Sequence, residues 1–484
     1  MKRLWRSITG NEMRKETSYR IFDRSMLVTI LALAWPTMLE QLMQTAVQYI
    51  DTAMVGSLGT QATAAVGSTG TINWLIGSTI SAVGVGFLSY IAKAYGAKEE
   101  EAAKRAVAQA VLITCALGVF FTMLTVSLSG VIPVWMQVDP GIRKMASTYF
   151  LILYLPMLPR TASIIFGTVL RSAGDTRSPM KIGLLVNLIN VALNFILIYP
   201  TPQIRLFSLN LTVYGAGLGV IGAAVASAIA FTVGGLCIAV VLWRHPMVSP
   251  RGQRFIPDRE ILEPCMRVAF PNMLQRFGTS LGYVAFAAMI NSLGEVSTAA
   301  HTIANTVESA FYIPGYGMQT AAATLAGNAY GANDERGMKR LASMFIPLET
   351  VLMIGSGTCL FLAAPFLMKL FSVHEAVISL GEAVLRMVAV SEPFYGFSII
   401  IEGLMMGVGK TKAPFIYNII GMWLVRIVGT YICTQLLGLG LISAWACMIA
   451  HNLLLFALFL ICYVRGAWNP LSAKAGAKGR RKSC

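Results

Sequence analysis

Charged residues are scarce in this sequence. They make up 12% of the 484 residues, whereas soluble domains carry about 25%. Hydrophobic residues account for 56% of the chain. A short apolar core beside a small-residue cleavage site is missing from the polar, basic residues 1–24, so we expect no cleavable signal peptide. The composition excludes an ordinary soluble domain and predicts an integral membrane protein.

Motifs for metal binding, ATP hydrolysis and catalysis are also missing from the sequence. The eight cysteines are scattered, mostly inside apolar runs, with no CxxC pair or Cys/His cluster, so they indicate small buried hydrophobes. No GxxxxGK[ST] motif is present, which argues against an ATP-driven pump within this chain. No constellation of nucleophile, base and oxyanion donors suggests an enzyme. We therefore expect a protein that is not an enzyme and that needs no cofactor or metal.

Apolar runs long enough to cross a bilayer recur along the chain. A helical span needs about 20 mainly apolar residues, and dividing the sequence at its polar and glycine-rich stretches gives twelve candidates. They cover residues 26–56, 64–92, 105–130, 145–169, 180–199, 214–243, 263–293, 299–328, 341–369, 377–405, 414–437 and 440–465. The sequence thus predicts an all-α membrane protein with twelve transmembrane helices.

The net charge of +16 could indicate nucleic-acid binding, but its distribution favours membrane topology. Basic residues gather at one set of span ends, whereas the opposite loops, such as SLGTQAT and LLGLG, are nearly uncharged. The basic loop residues are Arg171, Arg177, Lys181, Arg244, Arg251, Arg254, Arg259, Lys339, Arg340, Lys410 and Lys412. The N-terminal segment and the tail KAGAKGRRKSC fall on the same side. By the positive-inside rule both termini are cytoplasmic. We expect a multi-pass protein of the cell (plasma) membrane, in contact with lipid and with no nucleic-acid partner.

An internal repeat divides the chain into two similar halves. At a constant offset of 235 residues, several segments of the first half align without a gap with segments of the second. The aligned pairs are AWPTML (34–39) with AFPNML (269–274), SLG (57–59) with SLG (292–294), AYGA (94–97) with AYGA (329–332), and GDTRSP (174–179) with GKTKAP (409–414). The repeat predicts two pseudo-symmetric six-helix lobes, which favours a secondary transporter working by alternating access over a channel.

The repeat and the polar stretches together set the expected division of the chain. Residues 1–24 form a cytoplasmic N-terminal segment and residues 466–484 a basic cytoplasmic tail. Between them we predict an N-lobe over residues 25–243, a cytoplasmic linker over 244–262 and a C-lobe over 263–465. The working site should lie between or within the two lobes.

Two acidic residues lie inside the first predicted span, where ionisation is costly. At about 100° per residue, Glu40, Asp51, Gln44 and Gln48 fall on one polar stripe, which should face the interior of the bundle or a water-filled cavity. Burial favours a protonated carboxyl, so Asp51 can bind and release a proton, and a cation would serve equally well. Pairing with arginine for packing is the alternative. Pro36, one turn before the stripe, is either a hinge or a static kink.

A second polar cluster lies in the fifth predicted span. Asn187, Asn190 and Asn194 are three and four residues apart, so they share one face of a helix. Amide oxygens can coordinate a cation or accept a hydrogen bond from a protonated carboxyl. Hydrogen bonding between helices within the membrane is an equally good explanation.

Further polar residues within the spans could contact substrate. Glu308 in the eighth span, and Glu392 and Glu402 in the tenth, could bind a cationic drug or a second proton. Alternatively, Arg160, Arg276 and Arg426 could neutralise them in buried ion pairs. His301 and His451 are better explained by packing. Among the 25 methionines, Met38, Met43, Met405 and Met406 offer an adaptable lining, although methionine is also ordinary in membrane helices. Our predicted substrate contacts are Gln44, Met38, Glu308, Tyr395 and Glu402.

Several segments resemble the multidrug and toxic compound extrusion (MATE) family. They are AWPTMLEQLMQTAVQYIDTAMVG, LRSAGDTRSPM followed by NLINVALNFILIY, GVIGAAVASAIA, and AAHTIANTVESAFYIPGYGMQTAAATLAGNAYGA. The resemblance covers nearly all of residues 25–465 and is greatest to the prokaryotic branch that includes DNA-damage-inducible efflux proteins. It implies twelve helices in two lobes, and export of cationic or amphipathic compounds driven by inward proton or sodium flow.

The resemblance also implies roles for individual residues. Asp51 falls on the family's first-helix acid, taken to bind the coupling cation, Asn190 and Asn194 fall on its fifth-helix partners, and Ser227 falls on a sixth-helix hydroxyl. We count Gln48 as a further neighbour of Asp51. Many relatives have Asp where this chain has Asn194, and this departure favours protons over sodium. In another branch the seventh and tenth helices carry acids. Those positions hold Thr279 and Tyr395 here, so that sodium site is expected to be absent.

Three functions can be weighed against these sequence features. The leading one is a monomeric antiporter that exports cationic or amphipathic drugs in exchange for H⁺ or Na⁺. The second is a lipid-linked saccharide flippase, since relatives with a similar duplicated bundle move lipids. A non-transporting receptor or channel fits poorly with a duplicated chain and one titratable stripe. The counterpart of Asp51 in the second repeat is Phe286, so we expect the ion chemistry in the N-lobe alone.

Overall fold

Nearly all of the described chain is α-helical. The computed structural model describes residues 24–136, 138–200, 203–206, 209–212 and 215–472. The helices are α1 (Arg24–Gly56), α2 (Thr60–Gly96), α3 (Glu100–Leu128), α4 (Ile132–Trp135), α5 (Pro140–Tyr154), α6 (Met157–Ser172), α7 (Arg177–Ile198), α8 (Gly219–Arg244), α9 (Arg259–Asn291), α10 (Glu295–Gly331), α11 (Glu335–Phe371), α12 (Glu375–Ala389), α13 (Glu392–Gly407), α14 (Lys412–Leu436) and α15 (Leu441–Val464). Strands β1 (Gln203–Leu206) and β2 (Leu209–Thr212) form a small antiparallel hairpin between α7 and α8. The N-terminal segment before Arg24 and the tail beyond residue 472 lie outside the described residues.

Most of the long helices are suited to a bilayer. By length and composition, eight of those described can cross a membrane, namely α1, α2, α3, α7, α8, α11, α14 and α15. Two bent pairs, α5 with α6 and α12 with α13, raise the number to ten if each pair counts as one span. Helices α9 and α10 have 33 and 37 residues but are more polar. The chain is therefore a helical multi-pass membrane protein, and the count of twelve spans stays a prediction.

The fourth and tenth predicted spans are bent rather than straight. The two helices of each pair meet at 50° in the first lobe and at 52° in the second. Pro156 precedes α6 and Pro393 lies in the first turn of α13. Proline has no backbone N–H and disfavours helical geometry in the residue before it, which accounts for both breaks.

The predicted duplication is visible in the helix bounds. Adding 235 to the bounds of α1, α2, α5 and α6 gives those of α9, α10, α12 and α13. The left-handed residues after α2 and α10 obey the same offset, since Lys98 has φ 62° and Asn333 has φ 54°. The two halves therefore repeat one fold, while the residue limits of the lobes stay a prediction.

The first turns of each half pack into the other half. Ile30 and Ala34, near the start of α1, belong to an apolar core otherwise built from residues of the second half. Ile261 and Cys265, near the start of α9, belong in turn to the core of the first half. Helices α1 and α9 thus each contact both lobes. The predicted division into an N-lobe and a C-lobe does not describe this exchange.

Helices α2 and α10 meet closely at the end of the bundle that carries the basic loops, called here the basic end. A side chain on Gly96 would overlap the backbone carbonyl of Asn328, and one on Gly331 would overlap that of Lys93. These two contacts are related by the same 235-residue offset. The lobes are therefore in tight backbone contact at the basic end.

Candidate functional site

The two acids of the α1 stripe have different surroundings. Glu40 is buried and forms an ion pair with Arg171, whose Nη2 lies 2.5 Å from Glu40 Oε1. Arg171 lies in the last turn of α6, so this pair joins two helices of the first lobe. Glu40 is therefore a packed, neutralised acid, which is the alternative that the sequence left open for this stripe.

Asp51 instead faces amides and a hydroxyl. The side-chain nitrogen of Asn194 donates to Asp51 Oδ1 at 2.6 Å and also approaches Asn190 Oδ1 at 3.2 Å. Asn190 and Ser227 are joined by a side-chain hydrogen bond of 3.0 Å. Within the described part of the chain, Asp51 forms no ion pair. The structure thus brings together one acid from α1, two amides from α7 and one hydroxyl from α8.

The Asn190 amide can meet the Asp51 carboxyl in two ways. With its nitrogen turned towards Asp51, it donates to Oδ1 at 2.8 Å and to Oδ2 at 3.1 Å, and its oxygen accepts from the Ser227 hydroxyl at 3.0 Å. With its oxygen turned towards Asp51, two oxygens face each other, and only a protonated carboxyl can donate across the gap. The favoured amide orientation therefore depends on whether Asp51 carries a proton.

The other predicted residues of α1 lie apart from this cluster. Gln44 and Gln48 are exposed, and neither side chain is brought to Asp51 by a hydrogen bond among the described residues. Pro36 is buried within an uninterrupted helix. Met38 lies next to Gly317 of α10, where its backbone and side chain would contact any added side chain.

The remaining predicted substrate contacts lie in the second lobe. Glu402 accepts a hydrogen bond of 2.7 Å from the Gln275 amide. Tyr395 and Tyr316 share a hydroxyl–hydroxyl bond of 2.7 Å. Glu308 is buried on α10, at 6% exposure. Gln44 is thus separated by lobe from the other polar candidates, and they do not form one cluster.

The arginines considered as partners of the buried glutamates are held by other groups. Among the described residues, Arg160, Arg276 and Arg426 form no ion pair within 4.0 Å. Arg160 donates to Asn73 Oδ1 at 2.6 Å, and Arg276 donates to Asn272 Oδ1 at 3.1 Å. Arg426 lies over the ring of Phe286, 4.2 Å from its centroid. Amides and aromatic faces, rather than carboxylates, hold these three cations, because both also stabilise a guanidinium.

Two residues near the first-lobe acids were not anticipated. Arg171 reads in the sequence as one more basic loop residue, and nothing local links it to Glu40, which is 131 residues away. Tyr149 of α5 is buried and within electrostatic reach of Asp51. An aromatic residue in an apolar span carries no signal that would distinguish it from packing.

Among the described residues, potential metal-binding side chains do not lie close enough together to bind a metal ion. They include no group of three or more His, Cys, Asp and Glu side chains placed to hold a metal ion. The site at Asp51 consists of one carboxyl with neutral donors and acceptors.

Comparison with known proteins agrees with this architecture. The sequence profile of the MatE family matches residues 36–196 and again 271–432, so the two matches begin 235 residues apart. The probable multidrug resistance protein NorM of Thermotoga maritima is 26% identical over 443 residues, covering 91% of this chain and 92% of that protein. Multidrug and toxin extrusion protein 1 of Homo sapiens is 23% identical, covering 93% and 77%. A MOP superfamily transporter from Pyrococcus furiosus shares the fold, with a TM-score of 0.84, 23% identity and coverage of 95% and 100%. This chain is a member of the MATE family of membrane transporters.

Proposed function

We propose that the protein is a secondary active antiporter that exports cationic or amphipathic compounds in exchange for inward protons. The names of its relatives, which are multidrug resistance and toxin extrusion proteins, support the substrate class. The basic loops support an orientation in the plasma membrane with both termini in the cytoplasm. The observation that carries the coupling is the Asp51 carboxyl, held by amides without a basic partner among the described residues.

Protons suit this site better than sodium. A sodium ion favours several oxygen ligands, with enough negative charge among them to offset dehydration. Here one carboxyl supplies all the formal charge, and the Asn194 nitrogen already occupies one of its oxygens. A proton needs only the carboxyl itself, and the Asn190 amide can rotate to accept from the protonated form or to donate to the ionised one.

The position of Asp51 on α1 links proton binding to movement. The start of α1 packs in the second core through Ile30 and Ala34, whereas Asp51 faces α7 in the first lobe. Any change in how Asp51 holds α7 is therefore transmitted along a helix that contacts both lobes. Pro36, between the two regions, interrupts the backbone hydrogen bonding of α1 and offers a point of bending. Coupling then requires only that the protonated and ionised forms favour different arrangements.

The test is dye transport in proteoliposomes under an imposed pH or sodium gradient. We expect the pH gradient to drive a fluorescent cationic dye, the sodium gradient to add nothing, and Asp51→Asn to lower the pH-driven rate by about tenfold or more, equivalent to about 1.4 kcal/mol. Glu295→Gln, which removes an exposed acid at the start of α10, is the matched control and should transport normally. Normal transport by Asp51→Asn would make Asp51 structural, and failure of both gradients to move the dye would refute the exporter.

A further inference from the structure

A second group of carboxyls lies deep in the second lobe. Glu349 of α11 is fully buried, at 0% exposure, Glu392 of α13 is 2% exposed and Glu308 of α10 is 6% exposed. Three helices thus each contribute one glutamate to the interior of this lobe. The three are distinct from Thr279 and Tyr395, the positions of the acids in the other branch of the family.

Glu349 is packed between two glycines of neighbouring helices. A side chain on Gly315 of α10 would come within 2.5 Å of Glu349 Oε1, and one on Gly396 of α13 within 3.4 Å of the same atom. The side chain of Met353, one turn further along α11, covers both glycines. Glycine at 315 and 396 therefore makes the space that the carboxyl fills, and the walls of this space are apolar.

The Glu349 carboxyl has no partner in the described part of the chain. Neither Oε1 nor Oε2 makes a hydrogen bond, and Oε2 of Glu392 is also unpartnered. No Lys, Arg or His of the described residues lies within 4.0 Å of these three glutamates. An ionised carboxylate without a partner in an apolar interior costs more than a protein's net stability can supply, and such a group takes up a proton instead.

Glu349 and Glu392 both lie in the interface between α11 and α13. Glu349 lies beside Gly396, and the Cβ of Glu392 would lie 3.5 Å from a side chain on Gly357. Like charges that share a buried site disfavour each other's ionisation. Glu392 is the first residue of α13, directly after the 52° break, so the group lies where this span bends.

The helices packed against α11 carry few other charges near this group. Besides the three glutamates, the titratable or charged residues of these helices are Glu295, His301, Tyr312, Tyr316 and Tyr330 on α10, Glu375, Glu382 and Arg386 on α12, Tyr395 and Glu402 on α13, and Arg24, Glu40, Tyr49 and Asp51 on α1. Glu382 and Arg386 form an ion pair with each other at 2.8 Å, and Glu40 pairs with Arg171. The hydroxyl groups of Tyr316 and Tyr395 form a hydrogen bond with each other. The Arg386 guanidinium and the Tyr316 and Tyr395 hydroxyls are therefore already engaged. Arg426 of α14 acts on Glu308 from beyond ion-pair distance, and Glu349 is left to be neutralised by a proton.

We propose that Glu349, together with Glu392 and Glu308, is a second proton-binding site, located in the second lobe and separate from Asp51. Its proton is held while α10, α11 and α13 are packed as in this structure and is released when they separate and water reaches the carboxyl. The inference rests on the proposed proton-driven exchange and adds to it that each lobe binds a proton of its own.

Infrared spectroscopy of the purified protein in lipid tests the proton directly. A protonated carboxyl has a C=O stretch distinct from that of a carboxylate, and we expect Glu349→Gln to remove one such band at neutral pH. Glu335→Gln is the control on the same helix, since Glu335 is partly exposed and ion-paired with Lys339 at 2.7 Å. An unchanged protonated-carboxyl region in Glu349→Gln would overturn the proposal. Should that variant not fold, Glu349→Leu fits the same apolar space and must lose the same band.

A transport measurement separates this proposal from the general one. In proteoliposomes, the gradient at which dye flux reverses gives the number of protons exchanged per dye. We expect Glu349→Gln to transport with one proton fewer than the parent protein, whereas Asp51→Asn lowers the pH-driven rate itself by about tenfold or more. An unchanged stoichiometry in Glu349→Gln overturns the second site alone. Failure of the parent protein to transport refutes the exporter but leaves the infrared result to decide the protonation of Glu349.

Discussion

The guanidinium of Arg426 lies 4.2 Å from the centroid of the Phe286 ring, and Phe286 holds the position in the second lobe that Asp51 holds in the first. At the same offset of 235 residues, Asn190 corresponds to Val425 and Asn194 to Gly429. The duplicated lobes thus carry opposite charges at related places. An acid surrounded by amides in one lobe is matched by a cation on an aromatic face in the other, so the proton chemistry of Asp51 has no counterpart at its symmetry-related position.

The single carboxyl at Asp51 leads to a prediction about ion choice. Asn194→Asp would place a second carboxyl where the Asn194 nitrogen now donates at 2.6 Å. Two carboxylates at this distance repel each other unless a cation lies between them, so we expect dye transport that a sodium gradient stimulates by about tenfold, equivalent to about 1.4 kcal/mol. The measurement is dye flux in proteoliposomes with and without sodium.

The control for this change is Asn194→Leu, which removes the same hydrogen bond without adding charge. It should show no stimulation by sodium. Equal sodium responses in the two variants would contradict the role assigned to the charge at this position.

The Glu40–Arg171 ion pair makes a prediction about stability. Arg171→Leu leaves Glu40 buried without its partner at 2.5 Å, and breaking a buried pair costs about 3–5 kcal/mol. We expect a clear drop in the thermal unfolding midpoint, measured in lipid-like detergent. Replacing both residues with leucine should recover much of the loss, because no unpaired charge then remains.

The matched control is Lys339→Gln, which breaks the exposed pair with Glu335. Such pairs contribute about 0–1 kcal/mol, so its unfolding midpoint should hardly change. If Arg171→Leu behaved like this control, the buried pair would have no structural role.

The sequence predicts the polar partners of Asp51 better than it predicts the acids of the second lobe. Asp51, Asn190 and Asn194 stand on periodic polar faces, so their helical spacing alone directs them towards the bundle interior. Glu349 lies in the run MFIPLETVLM, where one acid among apolar residues gives no stripe and no direction. The space that buries its carboxyl is made by Gly315 and Gly396, which belong to two other helices.

Contacts between distant segments were also beyond sequence reasoning. The repeat predicts two halves of equal topology, and the bounds of four pairs of helices follow its offset of 235 residues. Nothing in the repeat shows that Ile30 packs with the second half and Cys265 with the first, because apolar residues at a helix start fit any core. The exchange is a property of how the two bundles dock, and it leaves no local pattern.

The glycine contacts at the basic end predict that a larger residue there keeps α2 and α10 from closing against each other. Gly96→Ala or Gly331→Ala would place a methyl group against the backbone carbonyl of Asn328 or Lys93, and backbone cannot give way as a flexible side chain can. We expect a longer distance between spin labels at the basic ends of α2 and α10. Driven dye transport should fall on the order of tenfold, a loss of about 1.4 kcal/mol.

Gly77→Ala is the control for these changes. Gly77 lies on the same helix, α2, and an added side chain there would meet nothing within 4 Å. Its label distances and transport should match those of the parent protein. Parental behaviour in Gly96→Ala and Gly331→Ala as well would show that the contact is not needed for closure.

The loop after α8 predicts a loss of stability in mild acid. His245 follows the last residue of α8, and its Nδ1 accepts from the backbone N–H groups of Met247 at 3.2 Å and Val248 at 3.3 Å. Burial lowers the pKa of His245 below its ordinary value, although Asp175 partly opposes this. Protonation of Nδ1 would also break both hydrogen bonds.

The sign of the effect follows from where His245 binds its proton. As pH falls through about 6.5, His245 binds a proton in the unfolded chain but stays neutral in the folded protein. The free energy of unfolding therefore declines until the pH reaches the lower pKa of the folded state. We expect the unfolding midpoint to drop between about pH 7.5 and 5.5, and His245→Asn to show a smaller drop. Replacing the exposed His374 with Gln should leave the parental pH dependence intact. A slope as steep in His245→Asn as in the parent would assign the acid sensitivity to other groups.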